Sequence, residues 1–310
     1  MTEALQIRLR ERFGERARFA EPLSRHTSFR IGGPADVWIE VNDAEELLAV
    51  QRMARDEATP IFVIGIGTNV LVSDRGVRGV VVKLGRGLGQ LDWAATPDGM
   101  SVRAGAAAPF KKLVLESVSR QLAGLEFAEG IPGSIGGGLL MNAGAFGGEM
   151  SDVVDSIEGT ESERGPVRYE RSELRFGYRR FDLPAGVIIT AVTFGLHGGD
   201  GAEIRARMAD AKRRRESKQP LGLPNAGSIF KNPPGEFAGR LIDAVGMKGS
   251  RVGGAMVSEA HANFIVNVDG ACATDVKRLM DQIVDAVWQQ KQVRLVPEIR
   301  LVGDWEAAGR

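Results

Sequence analysis

The sequence predicts an α+β fold that is divided over more than one domain. With 310 residues, the chain is longer than one typical domain of about 150 residues. Its composition, 43% hydrophobic and 26% charged residues, is that of a globular protein. Strand patterns and amphipathic helix patterns follow one another along the chain, and a Gly-rich segment at 197–201 separates two groups of them. We therefore expect mixed helices and strands in at least two cores.

The first 84 residues predict two helices and three strands. Apolar residues at helical spacing indicate a helix over 3–13 that is capped by Thr2. A second helix is expected to begin after Asp43, a good capping residue, and to end at about residue 56. Strands are expected in the second half of 26–41, at 61–65 and at 79–84.

The rest of the chain repeats this mixture on both sides of the Gly-rich linker. Before the linker, the patterns predict a helix at 109–121 and strands at 101–105, 153–159, 166–170 and 187–196. After it, they predict helices at 202–217, 236–246 and 274–290 and strands at 227–230, 263–268 and 293–302. The last group has the order expected of an α+β module.

Charge and cysteine content exclude several classes of protein. The 40 Lys and Arg residues balance 40 Asp and Glu residues, so we expect neither nucleic acid nor an anionic membrane as a partner. One cysteine and three histidines argue against a disulfide and against a metal site. The N-terminus lacks the apolar core of a signal peptide, and no apolar run reaches the ~18 residues of a membrane helix. We therefore expect a cytoplasmic protein without a metal.

Glycine is enriched, with 40 residues in the chain, and it is clustered in two places. The segment GIGTN (65–69) follows a predicted strand and can present backbone N–H groups to a pyrophosphate, although a tight turn is the simpler explanation. The segment 130–148 has eight glycines in nineteen positions, more than one close helix crossing requires. We expect this second segment to approach a phosphate-bearing ligand, with Asn142 available to pair with a carbonyl or a ribose.

Ser228 is the hydroxyl most open to a chemical role, because it follows Gly227 on a short strand between loops. It can serve as a proton donor, which requires only its O–H group and a path to water. It can also serve as a nucleophile with His261 or His26 as the base, although no nucleophile-elbow motif surrounds it. A turn hydroxyl without function is the third interpretation.

Charged residues in apolar surroundings give two further candidates. Glu298 and Arg300 share one face of the predicted last strand, where they either line a cleft or form an exposed ion pair of little energetic value. Arg179 follows Tyr178 and is either functional or an ordinary loop arginine. None of these residues decides the function by itself.

In combination, seven segments resemble the UDP-N-acetylenolpyruvoylglucosamine reductase family, also called UDP-N-acetylmuramate dehydrogenases. They occur in the order of the family and span most of residues 27–303. The segments are TSFRIGGPAD (27–36), GIGTNVL (65–71), GIPGSIGG to NAGAFG (130–147), FGYRRF (176–181), NAGSIFKNP (225–233), SEAHANFIVN (258–267) and LVPEIRLVG (295–303).

The resemblance implies a vanillyl-alcohol-oxidase-type FAD-binding domain of two α+β subdomains, followed by a C-terminal α+β substrate-binding domain. On this chain we expect the two subdomains at 1–84 and 85–200 and the substrate-binding domain at 201–300. The tail 301–310 is a candidate to pack against the first subdomain.

The resemblance also implies a reaction. NADPH is expected to reduce a non-covalently bound FAD, after which the enolpyruvyl C=C of a UDP-sugar is reduced to UDP-N-acetylmuramate for peptidoglycan synthesis. Matched motif by motif, Arg179 resembles the cation that stabilises charge at the substrate carboxylate, Ser228 the proton donor and Glu298 its acidic partner. The expected partners are the UDP-sugar and NADPH, and we expect a monomer.

The resemblance assigns further residues to the two ligands. Those expected to bind FAD are Thr27, Arg30, Gly65, Ile66, Gly67, Thr68, Asn69, Val70, Leu71, Gly130, Ile131, Pro132, Gly133, Ser134 and Gly137. Those expected to bind the substrate are Asn142, Tyr178, Arg214, Lys231, Asn232, His261 and Arg300.

Two positions depart from the pattern of the family. Phe181 stands where the family often has Ser two residues after the active-site arginine, so the choice between Arg179 and Arg180 remains open. Only seven residues separate Arg179 from the strand predicted at 187, which leaves no room for the inserted loop whose Tyr covers the substrate in the longer branch. The chain therefore resembles the short branch.

Three other functions compete with this one. A flavin-dependent alcohol or sugar oxidase on the same FAD scaffold would explain the first 200 residues but not the ordered C-terminal motifs. A nucleotide-sugar-binding protein without catalysis and a hydrolase that uses Ser228 and His261 are the other two.

Overall fold

The computed structural model describes residues 1–216, 219–220 and 222–305. Its α-helices are α1 (Glu3–Phe13), α2 (Ala44–Asp56), α3 (Phe110–Ser119), α4 (Ile135–Leu140), α5 (Gly201–Glu216), α6 (Ala238–Ala244) and α7 (Ala273–Lys291). Within the described residues, no helix combines the length and the apolar character that a membrane span requires.

The strands are short except in the middle of the chain. The first nine are β1 (Ala17–Pro22), β2 (Pro34–Val41), β3 (Ile61–Ile64), β4 (Val70–Val72), β5 (Val77–Leu84), β6 (Leu91–Thr96), β7 (Gly99–Gly105), β8 (Leu122–Ala123) and β9 (Gly144–Ala145). The others are β10 (Gly148–Glu149), β11 (Val154–Glu161), β12 (Gly165–Glu170), β13 (Phe176–Gly177), β14 (Arg180–Phe181), β15 (Ile188–Gly198), β16 (Arg251–Val252), β17 (Ala255–Val257), β18 (Ile265–Asn267) and β19 (Arg300–Val302).

The chain forms two compact units, each built from separate stretches of sequence. Unit 1 comprises Met1–Arg18, Trp38–Gly65 and Val80–Arg215, and unit 2 comprises Phe19–Val37, Ile66–Gly79 and the described residues from Glu216 onward. Strand β15 continues to Gly198 and α5 begins at Gly201, so the predicted linker is only a short turn between them. The division into three parts at 84 and 200 stays a prediction. Of the tail 301–310, residues 306–310 lie outside the described part of the chain.

Unit 1 is organised around an antiparallel sheet in the order β12-β11-β15-β7-β6, with β8 paired to β15. The central strand β15 carries the strongest strand pattern of the sequence, and Val192, Phe194 and Leu196 are buried along it. Helix α2 packs against β11. There the buried Gln51 side chain donates from Nε2 to the Thr160 carbonyl at 3.0 Å and accepts from Thr160 Oγ1 at 2.6 Å. Strands β3 and β5 pair in parallel.

Unit 2 has its core on the apolar face of α7. The buried residues of this face recur at helical spacing, as the sequence predicts: Val276, Leu279, Met280, Ile283 and Val287. They belong to one cluster with residues of α6 and of the three-stranded antiparallel sheet β16-β17-β18. Strand β19 pairs in parallel with β4.

The predicted last strand at 293–302 is wrong in extent. Only Arg300–Val302 form β19, while Pro297 makes an isolated bridge with Phe230. Proline has no N–H group to donate to a ladder, so strand pairing is weakened at this position.

Asp74 fixes the start of α7 from a distant part of the sequence. Its carboxylate accepts hydrogen bonds from the backbone N–H groups of Ala273 at 2.7 Å and Thr274 at 2.9 Å, and from Thr274 Oγ1 at 2.7 Å. Burial acts to raise the pKa of Asp74, but these hydrogen bonds outweigh it and hold the pKa below its ordinary value. The carboxylate therefore serves as a cap for the first turn of α7.

We expect Asp74→Ala to lower the free energy of unfolding by about 1 kcal/mol at pH 7, because two N–H groups lose their cap. Since folding lowers the pKa of Asp74, its stabilisation is present above the unfolded-state pKa of about 3.9 and is lost as the pH falls through the folded-state pKa. Urea denaturation at pH 7 and below pH 4 measures both effects. Asp281→Ala, which removes an exposed pair with Lys277, is the control and should cost only a few tenths of a kcal/mol. Equal losses in the two variants at pH 7 would contradict the assignment.

Candidate functional site

The loop 65–69 between β3 and β4 presents unused backbone donors. The N–H groups of Ile66, Gly67 and Thr68 donate no hydrogen bond to any residue that the structure describes. Gly67 has φ +70°, and a Cβ atom there would lie 2.2 Å from the carbonyl oxygen of His26. Only glycine therefore fits this position, and the loop has the donors that an anionic group requires.

Unit 2 holds this loop next to Glu298. The side-chain amide of Asn69 donates to the Glu298 carbonyl at 3.3 Å, and the Asn69 carbonyl accepts from the Arg300 N–H at 3.0 Å. Ser28 adds a second attachment, because its N–H donates to the Gly67 carbonyl at 3.0 Å. The structure thus brings a predicted cofactor loop and a predicted catalytic residue together.

The segment around Ser228 lies beside Glu298. The Glu298 N–H donates to the Ile229 carbonyl at 2.8 Å, so Glu298 is opposite the residue that follows Ser228. The Ser28 hydroxyl donates to the Asn225 carbonyl at 2.7 Å and ties the start of this segment to residues 27–30. Two predicted catalytic residues therefore occupy neighbouring antiparallel segments.

Thr27 and Arg30 are the predicted flavin positions of this unit. Thr27 is buried, and its hydroxyl donates to the Ile31 carbonyl at 2.9 Å. Arg30 is exposed and has φ +56°, a conformation that is uncommon for residues other than glycine. The Thr27 hydroxyl therefore shapes the turn, and any contact of Thr27 with a cofactor would come from its other atoms.

In unit 1, the Gly-rich segment turns into the short helix α4. The Ser134 hydroxyl accepts from the Gly137 N–H at 3.4 Å, and a Cβ atom at Gly65 would lie 2.6 Å from this hydroxyl oxygen. The N–H groups of Gly133 and Ser134 donate to no residue in the described ranges. Gly136 and Gly138 serve packing instead, because Cβ atoms there would lie 3.0 Å from Ala106 and Met150. The glycines of this segment are thus divided between open donors and close packing.

Lys83 is a partly buried cation next to Gly65, and the sequence analysis did not single it out. Its Nζ atom donates to the Gly65 carbonyl oxygen. Burial lowers the pKa of Lys83, and the negative charge of Glu40 opposes this shift. The signal in the sequence is a lysine within the otherwise apolar strand GVVVKL (79–84).

Arg179 occupies the tip of the hairpin formed by β13 and β14. It has φ +52°, and its Nη2 atom donates to the Gly144 carbonyl at 2.6 Å. Its guanidinium also lies 5.3 Å from the centre of the Tyr178 ring. Arg180 instead pairs with Asp182 at 2.6 Å and is exposed. The geometry therefore favours Arg179 as the residue that faces the Gly-rich segment.

Helix α5 directs Arg215, and not the predicted Arg214, toward the same segment. Arg215 Nε donates to the Glu129 carbonyl at 3.1 Å, and its side chain is so close that a Cβ atom at Gly130 would lie 2.8 Å from its Cδ atom. Burial lowers the pKa of Arg215, the charge of Glu129 opposes the shift, and the charge of Arg179 adds to it. Arg214 is exposed and pairs with Asp210 at 2.7 Å. We therefore replace Arg214 by Arg215 as the candidate.

Asn142, a predicted substrate residue, is fully buried. Its Nδ2 atom donates to the Gly177 carbonyl at 3.2 Å, and its Oδ1 atom accepts from the Ser151 N–H at 3.0 Å. Both ends of the amide are therefore engaged within the protein. Asn142 thus holds the hairpin of Arg179 against the Gly-rich segment, and its contact with the substrate stays a prediction.

The remaining predicted substrate residues have mixed surroundings. Tyr178 and Arg300 are exposed, and the Lys231 N–H donates to the Val296 carbonyl at 2.8 Å. The Asn232 side chain accepts from the Ala238 N–H at 3.0 Å at the start of α6. His261 Nδ1 accepts from the Asn263 N–H at 3.1 Å, an arrangement that serves the local turn.

Comparison with known proteins places these features in a family. Residues 35–163 match the model of an FAD binding domain, and residues 219–302 match that of the UDP-N-acetylenolpyruvoylglucosamine reductase C-terminal domain. UDP-N-acetylenolpyruvoylglucosamine reductase 2 of Symbiobacterium thermophilum is 46% identical over 93% of this chain and 92% of its own length. The reductase of Caldanaerobacter subterraneus is 40% identical over 98% of this chain and its entire length.

A solved structure agrees with this result. The crystal structure of UDP-N-acetylenolpyruvylglucosamine reductase from Thermus caldophilus superposes with a TM-score of 0.80 at 37% identity, and it covers 93% of this chain and 99% of that one. The chain belongs to the UDP-N-acetylenolpyruvoylglucosamine reductase family. The family, the α+β fold class and FAD as cofactor are thus confirmed, and an oxidase is not favoured.

The residues of this family member fit FAD at two places. In unit 2, the donors of Ile66, Gly67 and Thr68 suit the diphosphate of the cofactor, since a glycine loop lets the backbone approach phosphate closely. In unit 1, the N–H groups of Gly133 and Ser134 have the same character. Each set is what a dinucleotide cofactor requires.

We expect Gly67→Ala to raise the dissociation constant of FAD by at least about tenfold, equivalent to about 1.4 kcal/mol. The added Cβ atom would collide with His26, so the loop must move. Titration of the apoprotein with FAD, followed by flavin fluorescence, measures the change. Gly235→Ala is a matched control with φ +73° and open space around its Cβ position. Equal dissociation constants for the two variants would show that the close approach of Gly67 is not needed for the cofactor.

Proposed function

We propose that this family member uses NADPH to reduce the enolpyruvyl C=C of a UDP-sugar to UDP-N-acetylmuramate. The observation that carries the proposal is the pair of hydrogen bonds made by Asn69. They link the loop of unused N–H donors to Glu298 and Arg300. When bound, FAD carries the hydride from NADPH to the double bond. The names of the relatives and both family models support this assignment.

Residues of unit 1 are suited to bind anionic groups of the substrate. Hydride addition to the terminal carbon of the enolpyruvyl group leaves negative charge on the adjacent carbon and its carboxylate. Arg179, oriented by the Gly144 carbonyl, is the cation that we assign to this charge. Arg215 is a second cation. Burial lowers its pKa because it disfavours the charged form, and an anion nearby would stabilise that form.

Residues of unit 2 are suited to deliver the proton. We assign the Ser228 hydroxyl as the group that donates a proton to the carbon next to the carboxylate. Glu298 is opposite Ile229, and we assign it as the acidic partner that stabilises the enolate-like state. Tyr178, Lys231, Asn232 and Arg300 stay candidates for contacts with the UDP-sugar.

The setting of the enzyme is part of the same proposal. We infer a cytoplasmic monomer that acts on small molecules and binds neither nucleic acid nor membrane. Its balanced charge supports this inference, because 40 basic residues match 40 acidic ones.

Ser228→Ala should leave the reduction of the flavin by NADPH nearly unchanged and slow its reoxidation by the enolpyruvyl UDP-sugar by about 10²- to 10⁴-fold. The physical reason is that only the second half-reaction needs the Ser228 proton. Anaerobic stopped-flow absorbance separates the two steps, and Ser24→Ala on the same unit is the control. If wild-type protein fails to reoxidise with authentic substrate, the proposed function is wrong. If both half-reactions fall together in Ser228→Ala, the serine is structural.

Arg215→Met and Arg214→Met test the corrected assignment on helix α5. We expect Arg215→Met to raise the KM for the UDP-sugar by about tenfold or more, because a partly buried cation then no longer meets an anionic group. Arg214→Met should change KM by less than about twofold, since Arg214 is exposed and paired with Asp210. Steady-state kinetics at fixed NADPH measures both values. The reverse order of the two effects would restore Arg214.

A further inference from the structure

Asn263 is a buried amide beside the segment that carries Ser228. Only 4% of its surface is exposed. Its Nδ2 atom donates to the Phe230 carbonyl at 2.8 Å, and its Oδ1 atom accepts from the Phe230 N–H at 3.0 Å. Its own carbonyl accepts from the Ile229 N–H at 2.9 Å. One residue therefore satisfies three backbone groups directly after Ser228.

The other side of this segment is paired with residues 296–298. The Ile229 carbonyl accepts from Glu298 and the Lys231 N–H donates to Val296, both at 2.8 Å. Because the backbone groups of a strand alternate in direction, the N–H and carbonyl groups of Phe230 face away from this pairing. The Asn263 side chain meets both of them and so takes the place of a neighbouring strand.

A tight turn fixes the Asn263 side chain. The Ser258 N–H donates to the Phe264 carbonyl at 2.8 Å, and the Phe264 N–H donates to the His261 carbonyl at 3.0 Å. The Asn263 N–H donates to His261 Nδ1 at 3.1 Å. This turn is the motif SEAHANF (258–264), in which His261 is the one residue that the sequence analysis assigns to the substrate.

We propose that Asn263 is a positioning residue that holds Ser228 and Glu298 in register for proton transfer to the substrate. The proposal rests on the proposed function of Ser228. Asn263 acts through Phe230 and Ile229, and Ile229 is in turn bonded to Glu298. Loss of the amide would leave both buried polar groups of Phe230 without partners and would free the segment to shift.

The position requires one donor and one acceptor side by side. An asparagine amide supplies both, whereas a leucine of similar size supplies neither. An ionised aspartate offers two acceptors and would repel the Phe230 carbonyl, but a protonated aspartic acid again offers one donor and one acceptor. Protonation of Asn263→Asp should therefore repair the hydrogen bonds, and this makes the role of the amide visible in a pH profile.

The test measures both half-reactions of wild type, Asn263→Asp and Asn263→Leu by anaerobic stopped flow at pH 5.5 and pH 8.5. We expect the reduction of the flavin by NADPH to stay within about twofold of wild type, and reoxidation by the enolpyruvyl UDP-sugar to fall at least about tenfold at pH 8.5 in both variants. At pH 5.5 the aspartate variant should recover most of its rate, because burial raises the pKa of a carboxyl group. The leucine variant should not recover.

Two controls isolate the effect. The charged or ionisable side chains on the segments bonded around Asn263 include His261, Lys231 and Glu298. They are present in both variants, so the ratio of the two rates reports only the new carboxyl group. Gln51→Glu makes the same change at a buried amide of unit 1 that has partners on both ends. It should lower the melting temperature without slowing reoxidation more than reduction. If Asn263→Leu does not fold, Asn263→Ser replaces it.

The outcomes separate the two claims. Reoxidation that fails already in wild type removes the proposed function and, with it, the role of Asn263. Wild-type reoxidation combined with equal slowing of both half-reactions in the variants overturns the role of Asn263 alone. The same conclusion follows if Asn263→Asp is as slow at pH 5.5, relative to wild type, as Asn263→Leu.

Discussion

The parallel pairing of β4 with β19 is the constraint on which unit 2 and its part of the site depend. The loop 65–69 directly precedes β4, and Glu298 lies just before β19. Pairing of the two strands therefore brings the loop and the glutamate together. Asn69 then bonds to both Glu298 and Arg300. Parallel strands require a long connection, and here the connection contains most of the chain. Glu298 therefore meets the loop 65–69 only when the C-terminal segment has paired with β4.

The cations near the two glycine segments share a mode of attachment. Lys83 donates to the Gly65 carbonyl, Arg215 to the Glu129 carbonyl and Arg179 to the Gly144 carbonyl. A carbonyl oxygen accepts a hydrogen bond and so fixes the orientation of the cation. Exposed arginines such as Arg180 and Arg214 instead pair with aspartates. The cations near the glycine segments and the exposed arginines are thus oriented by different kinds of acceptor.

The sequence predicts the family, the fold class and the cofactor better than the contacts that hold the predicted site residues. The glycine loops, Arg179, Ser228 and Glu298 lie in motifs that can be identified from local patterns, and most helices were placed within a few residues. Arg215 was missed, although it continues the buried face of α5 marked by Ile204, Met208 and Ala211. The burial of Asn142 depends on its bonds to Gly177 and Ser151, which no local pattern reveals. The short β19 differs from the predicted strand because Pro297 lacks the N–H group that a ladder uses.

Three asparagines show how the segments that carry the predicted functional residues are held. Asn69 bonds to the backbone of Glu298, Asn142 to the hairpin of Arg179 and Asn263 to the segment after Ser228. An amide both donates and accepts, so it can satisfy backbone groups that no strand reaches. It also carries no charge. A lysine or an aspartate in these places would add an electric field beside groups that must respond to charge on the substrate. Neutral amides therefore hold these segments without adding a charge beside the predicted functional residues.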